Sequence, residues 1–319
     1  MSSTPVEVAP LPVSQSRTRS SWAGPTTAVG RANERLGWML VLPSVLVVIG
    51  VALYPLFETF RLSFTNTRLG SVREPRYVGF ENYRDLLSDD LYINAFRNTV
   101  VFTIASVSLE VIFGMVVALV VHTAFTGRGL VRTSMLVPWA IPTVVSALLW
   151  DWMFHPTFGA INSVLIRLNL MDARDTFSWT ASTATALGVV VAIDVWKTIP
   201  FMALLLLAGL QVIPGDVYEA SYVDGATKLQ QFWQITLPLL RPALLVALIF
   251  RTLDAFRIFD MIYVLKGYST ETMSLAVFIQ QKIVSLQRLG EGSAAAVILF
   301  FAIFVLVIIY TRLIRVEEQ

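Results

Sequence analysis

The chain of 319 residues has no cysteine, only two histidines and few charges. Without cysteine there is no disulfide, no iron–sulfur centre and no thiolate zinc site, and the redox compartment is left open. His122 and His155 stand far apart in the sequence and read as interfacial residues, not as a ligand pair. Charged residues make up 14% of the chain and hydrophobic ones 55%, where a soluble domain carries about 25% charged residues. That deficit places most of the chain in lipid. The formal net charge is only +2. No basic stripe with interleaved aromatics occurs, so nucleic acid is not expected as a partner. No G-x-x-x-x-G-K-[ST] occurs either, which argues against ATP binding through a P-loop.

What the chain does have is apolar length. Six stretches, 37–57, 98–122, 132–154, 184–209, 240–266 and 293–314, reach the roughly 20 residues that span a bilayer as helix. The expected fold is all-α and polytopic, with six transmembrane helices and both termini on one side. Residues 1–35 are rich in Ser, Thr, Pro and Ala, carry Arg17, Arg19, Arg31 and Arg35, and show no signal-peptide core. They are expected to form a disordered tail, leaving 36–319 as one transmembrane domain. Residues 58–97, with VGFENYRDLL, are too polar to cross and read as a loop with short amphipathic helices. Loop 155–183 contains FGAIN, and loop 267–292 is expected to hold a short helix. Lys and Arg are divided evenly between the two sides, so the positive-inside rule does not decide orientation over the whole chain. Arg31, Arg35, Arg128 and Arg132, with only Glu34 nearby, favour termini inside.

Ionisable residues inside spans are costly and face a cavity or a partner. The candidates are Glu110, Asp151, Asp194, Lys197, Arg251, Asp254, Arg257 and Asp260. Asp151 and Asp260 lie toward span ends, where interfacial water solvates them. Asp194 with Lys197, and Asp254 with Arg257, are three apart and spaced to pair on one helix. Glu110 is alone on its helix and is expected to bond a neighbouring helix or backbone. Asp194, Lys197, Thr198 and Phe201 follow i, i+3, i+4, i+7 and share one helix face. Pro200 interrupts the hydrogen-bond ladder there and frees carbonyls toward a cavity. Trp139 and Thr143, one turn apart beside Pro138 and Pro142, make a similar set. Such a surface suits a sugar: an aromatic face packs on the apolar ring face while charged groups bond hydroxyls. Packing of Trp139 between helices is the other reading.

Between the fourth and fifth spans lies a polar stretch, residues 214–238, PGDVYEASYVDGATKLQQFWQITLP. Asp216 and Glu219 are spaced as a capping box, Gly225 interrupts, Thr227–Ile235 reads as a second short helix, and Pro238 is expected to end it. Within it, Glu219-Ala220-Ser221, Asp224-Gly225-Ala226 and Ile235-x-Leu237-Pro238 resemble the EAA loop of ABC importer permeases. Only Ser221 departs from that pattern, a small-for-small change. The resemblance extends over roughly residues 40–312. LPSVLVVIGVALYPLFETFRLSFTN, VGFENYRDLL, NTVVFT, LVPWAIPTVVSALLW, FGAIN and FRIFDMIYVLKG are similar to the carbohydrate-uptake, maltose-permease-like class. VWKTIPFMALLLLAGL and FRTLDAFRIFDMIYVL resemble the trehalose-type permeases of mycobacteria. Lys266-Gly267-Tyr268-Ser269 departs from the GGGP usual in that class.

The resemblance implies a permease subunit of an ATP-driven sugar importer, forming half of the path for a disaccharide such as trehalose or a related glucoside. It implies no chemistry and no cofactor in this chain; ATP and Mg bind to partner subunits. The implied partners are a second homologous permease, two ATPase subunits, an extracytoplasmic sugar-binding protein, membrane lipid and the sugar. The loop 214–238 becomes the coupling helix that docks on an ATPase, through Glu219, Ala220, Ser221, Asp224, Gly225, Ala226, Ile235, Leu237 and Pro238. That puts the chain in a bacterial plasma membrane with both termini cytoplasmic. Sugar contacts carry over onto Trp139, Thr143, Asp194, Lys197, Thr198, Phe201, Asp254, Ala255 and Ile258. Two other classes fit part of the same residue set. An ion-coupled secondary transporter also places Asp and Lys in spans but has no need of the EAA pattern. An intramembrane aspartyl protease needs two facing aspartates, for which Asp194 and Asp254 lack the G-x-G-D context.

Overall fold

A chain in lipid must satisfy its own backbone hydrogen bonds, and helix does so within each segment. The computed structural model describes residues 28–72, 74–172, 177–182 and 184–313, and these are mainly helical. The chain divides into two units, Met1–Leu56 and Phe57–Gln319. In the first, α1 (Ala28–Val48) runs into a π-helical turn, Ile49–Leu53, and α2 (Tyr54–Ser63) begins. The tail assigned to 1–35 lies outside the described residues up to position 27; from Ala28 the chain is already helical.

The second unit continues with α3 (Glu81–Leu87), α4 (Asp90–His122), α5 (Arg128–Ser134), α6 (Val137–Ala140), α7 (Thr143–Met153), α8 (Ala160–Arg167) and α9 (Ala186–Leu210). Then come α10 (Gly215–Val223), α11 (Lys228–Gln231), α12 (Leu237–Phe256), α13 (Asp260–Lys266), α14 (Leu275–Gln280) and α15 (Leu289–Leu313). Among the described residues, five helical stretches are long and apolar enough to cross a membrane: Glu34–Ser63, Asp90–His122, Ala186–Leu210, Lys228–Lys266 and Leu289–Arg312. A sixth, Arg128–Ala140 with Thr143–Met153, is bent by 87°.

The first and second spans are longer than expected, starting at Glu34 and Asp90, and two others differ in kind. The third span, read as continuous over 132–154, breaks at Ile141 and Pro142, whose ψ angles are 131° and 138°. Proline disfavours the α conformation in the residue before it, which puts Ile141 in the extended region. Pro138 sits harmlessly in the first turn of α6. The fifth span starts earlier than expected. Pro238 does not stop a helix; it lies in the first turn of α12, behind a π-helical turn at Phe232–Thr236. There the Leu237 N–H reaches the Phe232 carbonyl, so the chain continues although Pro238 has no N–H to give. Pro200 likewise leaves α9 unbroken.

The core lies where α4, α9 and α12 pack together. Close approach comes from small residues, as is usual between membrane helices. A Cβ on Gly114 would stand 2.6 Å from Met202 Cγ, and one on Gly209 2.4 Å from Ala243 Cβ. Two apolar clusters result. One includes Phe102, Val107, Val190 and Ile193; the other includes Met115, Met202, Leu206, Leu210 and Leu240. On α4, Glu110 lies in sequence between the two clusters, after Val107 and before Met115; on α9, Asp194 is flanked by Ile193 and Val195 of the first cluster.

Asparagines from three of the motifs clamp the connecting loops. Asn82 of VGFEN donates to the Ser63 and Thr65 carbonyls at 2.8 and 2.9 Å. Asn98 of NTVVFT reaches the Glu271 and Met273 carbonyls at 3.1 and 3.2 Å. Asn162 of FGAIN donates to the Pro156 and Phe177 carbonyls and accepts the Trp179 indole N–H at 2.6 Å. Each satisfies backbone carbonyls that irregular chain leaves without a backbone partner.

Candidate functional site

The fourth-span face reads outward from α9 in two directions. Toward α4 and α12 it meets a buried charge cluster. Arg251, fully buried, donates through Nε and Nη2 to the two carboxylate oxygens of Glu110. Nη2 also lies 3.0 Å from Asp194 Oδ2, and Nη1 lies 2.5 Å from Asp254 Oδ2. The Ser106 hydroxyl sits between Glu110 Oε1 and Asp194 Oδ2, at 2.7 and 2.5 Å. The Thr198 hydroxyl lies 2.6 Å from Glu110 Oε1 and 2.6 Å from the Asp194 carbonyl. One guanidinium thus meets three carboxylates drawn from α4, α9 and α12. Its planar fork suits this, since it offers donors in several fixed directions.

Toward the broken third span the same face is different. Lys197 Nζ donates to the Ile141 carbonyl at 2.6 Å and the Trp139 carbonyl at 3.1 Å. The Phe201 ring stacks on the Trp139 indole, centroids 5.6 Å apart and planes at 10°.

The two ion pairs expected from spacing are therefore replaced. Lys197 bonds carbonyls and Asp194 bonds Arg251; Asp254 pairs with Arg251, while Arg257 Nε donates to the Leu253 carbonyl at 3.2 Å. Helix spacing permits a pair, and a neighbouring helix offers a better one. Glu110 does bond neighbouring helices, as expected of an isolated buried carboxylate, but spacing along one helix does not point to its partner, Arg251. The available signal was Arg251 itself, a cation inside an apolar span.

Of the nine positions carried over for sugar contact, Asp194, Lys197, Thr198 and Ala255 are buried, and Thr143, Phe201 and Ile258 are half-buried. Trp139 is 47% exposed and the Asp254 carboxylate 72% exposed. Trp139 and Thr143 do not share a helix face, because the break falls between them.

Loop 214–238 is built otherwise than the capping box proposed at Asp216. No side chain caps α10, which starts behind Pro214; the capping box lies one helix later, between Thr227 and Gln230. Gly225, at φ +80°, ends α10 in a Schellman motif, with Gly225 N bonding the Tyr222 carbonyl and Ala226 N the Ser221 carbonyl. Only glycine takes that conformation without strain. Ser221, the one departure from the EAA pattern, is buried; its hydroxyl donates to the Tyr218 carbonyl and accepts from Gln231 Nε2 at 3.0 Å. Tyr218 and Thr236 add a hydroxyl contact at 3.0 Å. Glu219, Ala220, Asp224 and Gly225 are exposed, and Ala226, Ile235, Leu237 and Pro238 are half-buried. Tyr222, Val223, Leu229 and Trp233 stand exposed around them, beside a groove of about 860 Å³ lined in part by Glu219, Lys228 and Phe232.

Comparison with known proteins identifies this architecture. Residues 110–317 match the family described as binding-protein-dependent transport system inner membrane component. The trehalose/maltose transport system permease protein of Thermococcus litoralis is 40% identical over 298 residues, covering 92% of this chain and 98% of that protein. The trehalose transport system permease protein of Mycobacterium tuberculosis is 38% identical over 282 residues, covering 88% and 89%. In fold, the chain is similar to one in the crystal structure of a bacterial alginate ABC transporter in complex with an alginate-bound periplasmic protein. There the TM-score is 0.78 at 21% identity, covering 89% of this chain and 95% of that one. The chain belongs to this family: it is a multi-pass inner-membrane permease subunit of a binding-protein-dependent ABC importer. Its relatives just named are sugar permeases, the class that the sequence motifs resemble.

Proposed function

We propose that this subunit forms half of the translocation path of an ABC sugar importer for a disaccharide of the trehalose or maltose type. The observation that carries the proposal is the α9 face, which gathers an exposed aromatic surface, Trp139 stacked on Phe201, and, through Arg251, an exposed carboxylate, Asp254. An aromatic plane takes the apolar face of a pyranose, and a carboxylate accepts from its hydroxyls. Thr143 and Ile258 border these groups in sequence, while Asp194 and Thr198 hold the face together. The relatives named for trehalose and maltose support a neutral disaccharide as the cargo.

The exposed side of loop 214–238 is the surface for one of two ATPase subunits, which bind ATP and Mg. A second homologous permease completes the path, and an extracytoplasmic binding protein delivers the sugar. The loop then lies in the cytoplasm, as do both termini. In the reconstituted complex, sugar-loaded binding protein is expected to stimulate ATP hydrolysis and uptake, with trehalose or maltose competing and an acidic oligosaccharide failing to compete. Gly225→Leu is expected to lose that stimulation, because a branched side chain at φ +80° costs about 1–2 kcal/mol and reshapes the turn. Stimulation unchanged in an intact Gly225→Leu complex refutes the coupling assignment, and competition by acidic oligosaccharides alone refutes the cargo.

The orientation has a direct test, helped by the absence of native cysteine. A cysteine at Ser3 is expected to resist an impermeant thiol reagent in intact cells, and one at Ser178 to react. The reverse pattern inverts the topology.

A further inference from the structure

By sequence spacing Lys197 belongs with the sugar contacts, yet its surroundings engage its donors elsewhere. In an unbroken helix the Trp139 carbonyl would take the Thr143 N–H, and the Ile141 carbonyl the Val145 N–H. The extended backbone at Ile141 and Pro142 cuts the ladder at this point. Carbonyls freed inside a membrane span need replacement donors. The Lys197 ammonium lies 2.6 Å from the Ile141 carbonyl and 3.1 Å from the Trp139 carbonyl, and the residue is only 8% exposed. One turn along α9, Phe201 holds the indole ring of Trp139 in a near-parallel stack. Both contacts converge on Trp139: Lys197 holds its backbone and Phe201 its ring, and the residue is still 47% exposed.

We infer that Lys197 is a positioning residue, which pins the break in the third span to α9 and so presents Trp139 as a platform, without itself contacting the sugar. The inference rests on the sugar-site reading above for its functional half; its structural half, the pin, stands apart from any sugar. Glu110, Asp194, Asp254 and Arg251 already satisfy one another on the far side of the face. Lys197 is thus left to the carbonyls.

The test uses the assembled transporter and separates the two halves. Without sugar, Lys197→Met is expected to speed amide exchange at residues 146–149, the first hydrogen-bonded amides of α7, by about tenfold or more, since loss of the pin loosens the start of that helix. Lys197→Arg, which keeps donors for both carbonyls, is expected to restore slow exchange. In uptake, Lys197→Met is expected to raise KM for the sugar about tenfold while largely keeping the maximal rate. Trp139→Ala is expected to raise it at least as much, and the double variant no further than Trp139→Ala alone, because residues acting through one contact are not additive. If the sugar-free exchange is unchanged, the pin is refuted. If the two KM effects multiply, Lys197 touches the sugar and the positioning role is refuted. If exchange responds but Trp139→Ala leaves uptake untouched, the pin stands and the sugar platform falls. Should Lys197→Met fail to assemble, Lys197→Leu, which likewise offers no donor to the carbonyls, is measured in the same way with the same outcomes.

Discussion

Replacing Arg251 with methionine is expected to abolish recovery of the assembled transporter. Methionine matches the aliphatic stem but removes the cation that Glu110, Asp194 and Asp254 share. Glu110 and Arg251 have side chains 0% and 2% exposed, so water cannot replace the lost partner. Breaking a buried pair from one side costs about 3–5 kcal/mol, because an uncompensated charge stays behind. That is a large part of the 5–15 kcal/mol that typically holds a native protein together. Glu110→Gln is expected to be milder, since the amide keeps the shape and an acceptor for the Arg251 fork. Combined with Arg251→Met, it should recover part of the loss, the signature of coupled neighbours. Full recovery of the Arg251→Met complex, measured by co-purification of the subunits, would show that the cluster does not hold the three helices.

Asp254→Asn is expected to give the opposite pattern, an assembled complex with uptake reduced ten- to hundredfold. Asparagine keeps an acceptor near Arg251 Nη1, and Glu110 and Asp194 still face the guanidinium. The exposed carboxylate is the part that changes. A hydrogen bond to a charged group is worth roughly 1.5–3 kcal/mol, which sets the expected range. Normal uptake with normal assembly would take Asp254 out of the sugar path. Read together, the two variants distinguish the ends of one network: Arg251 buried and structural, Asp254 open to a substrate.

The spans were legible because the hydrophobic signal is local: about 20 apolar residues suffice for a crossing whatever they pack against. Loop 214–238 was legible for a related reason, since Gly225 and the residues around it meet their turn within a few positions. The capping-box spacing fits both helices of the loop, at Asp216 with Glu219 and at Thr227 with Gln230, and only the second pair adopts the geometry. The break in the third span is hidden from composition, since the chain is apolar on both sides of Ile141 and Pro142. The effect of Pro142 is conditional: Pro200 and Pro242 lie inside helices that remain whole.

By itself the sequence determined the helical class, the spans and the polar loop between the fourth and fifth. Each follows from interactions between residues a few positions apart, or between a residue and lipid. Tertiary structure decided the partners of the buried charges. Glu110 and Arg251 are 141 positions apart, Asp194 and Arg251 57, and Lys197 stands 56 from Ile141. Spacing along one helix shows which groups share a face, but an ion in a span pairs with whatever lowers its desolvation cost most. Here that was a guanidinium on α12 for Asp194 and the open carbonyls of a broken helix for Lys197. Both choices depend on how α4, α9 and α12 close on one another and on where the third span bends, and so appear only in the packed molecule.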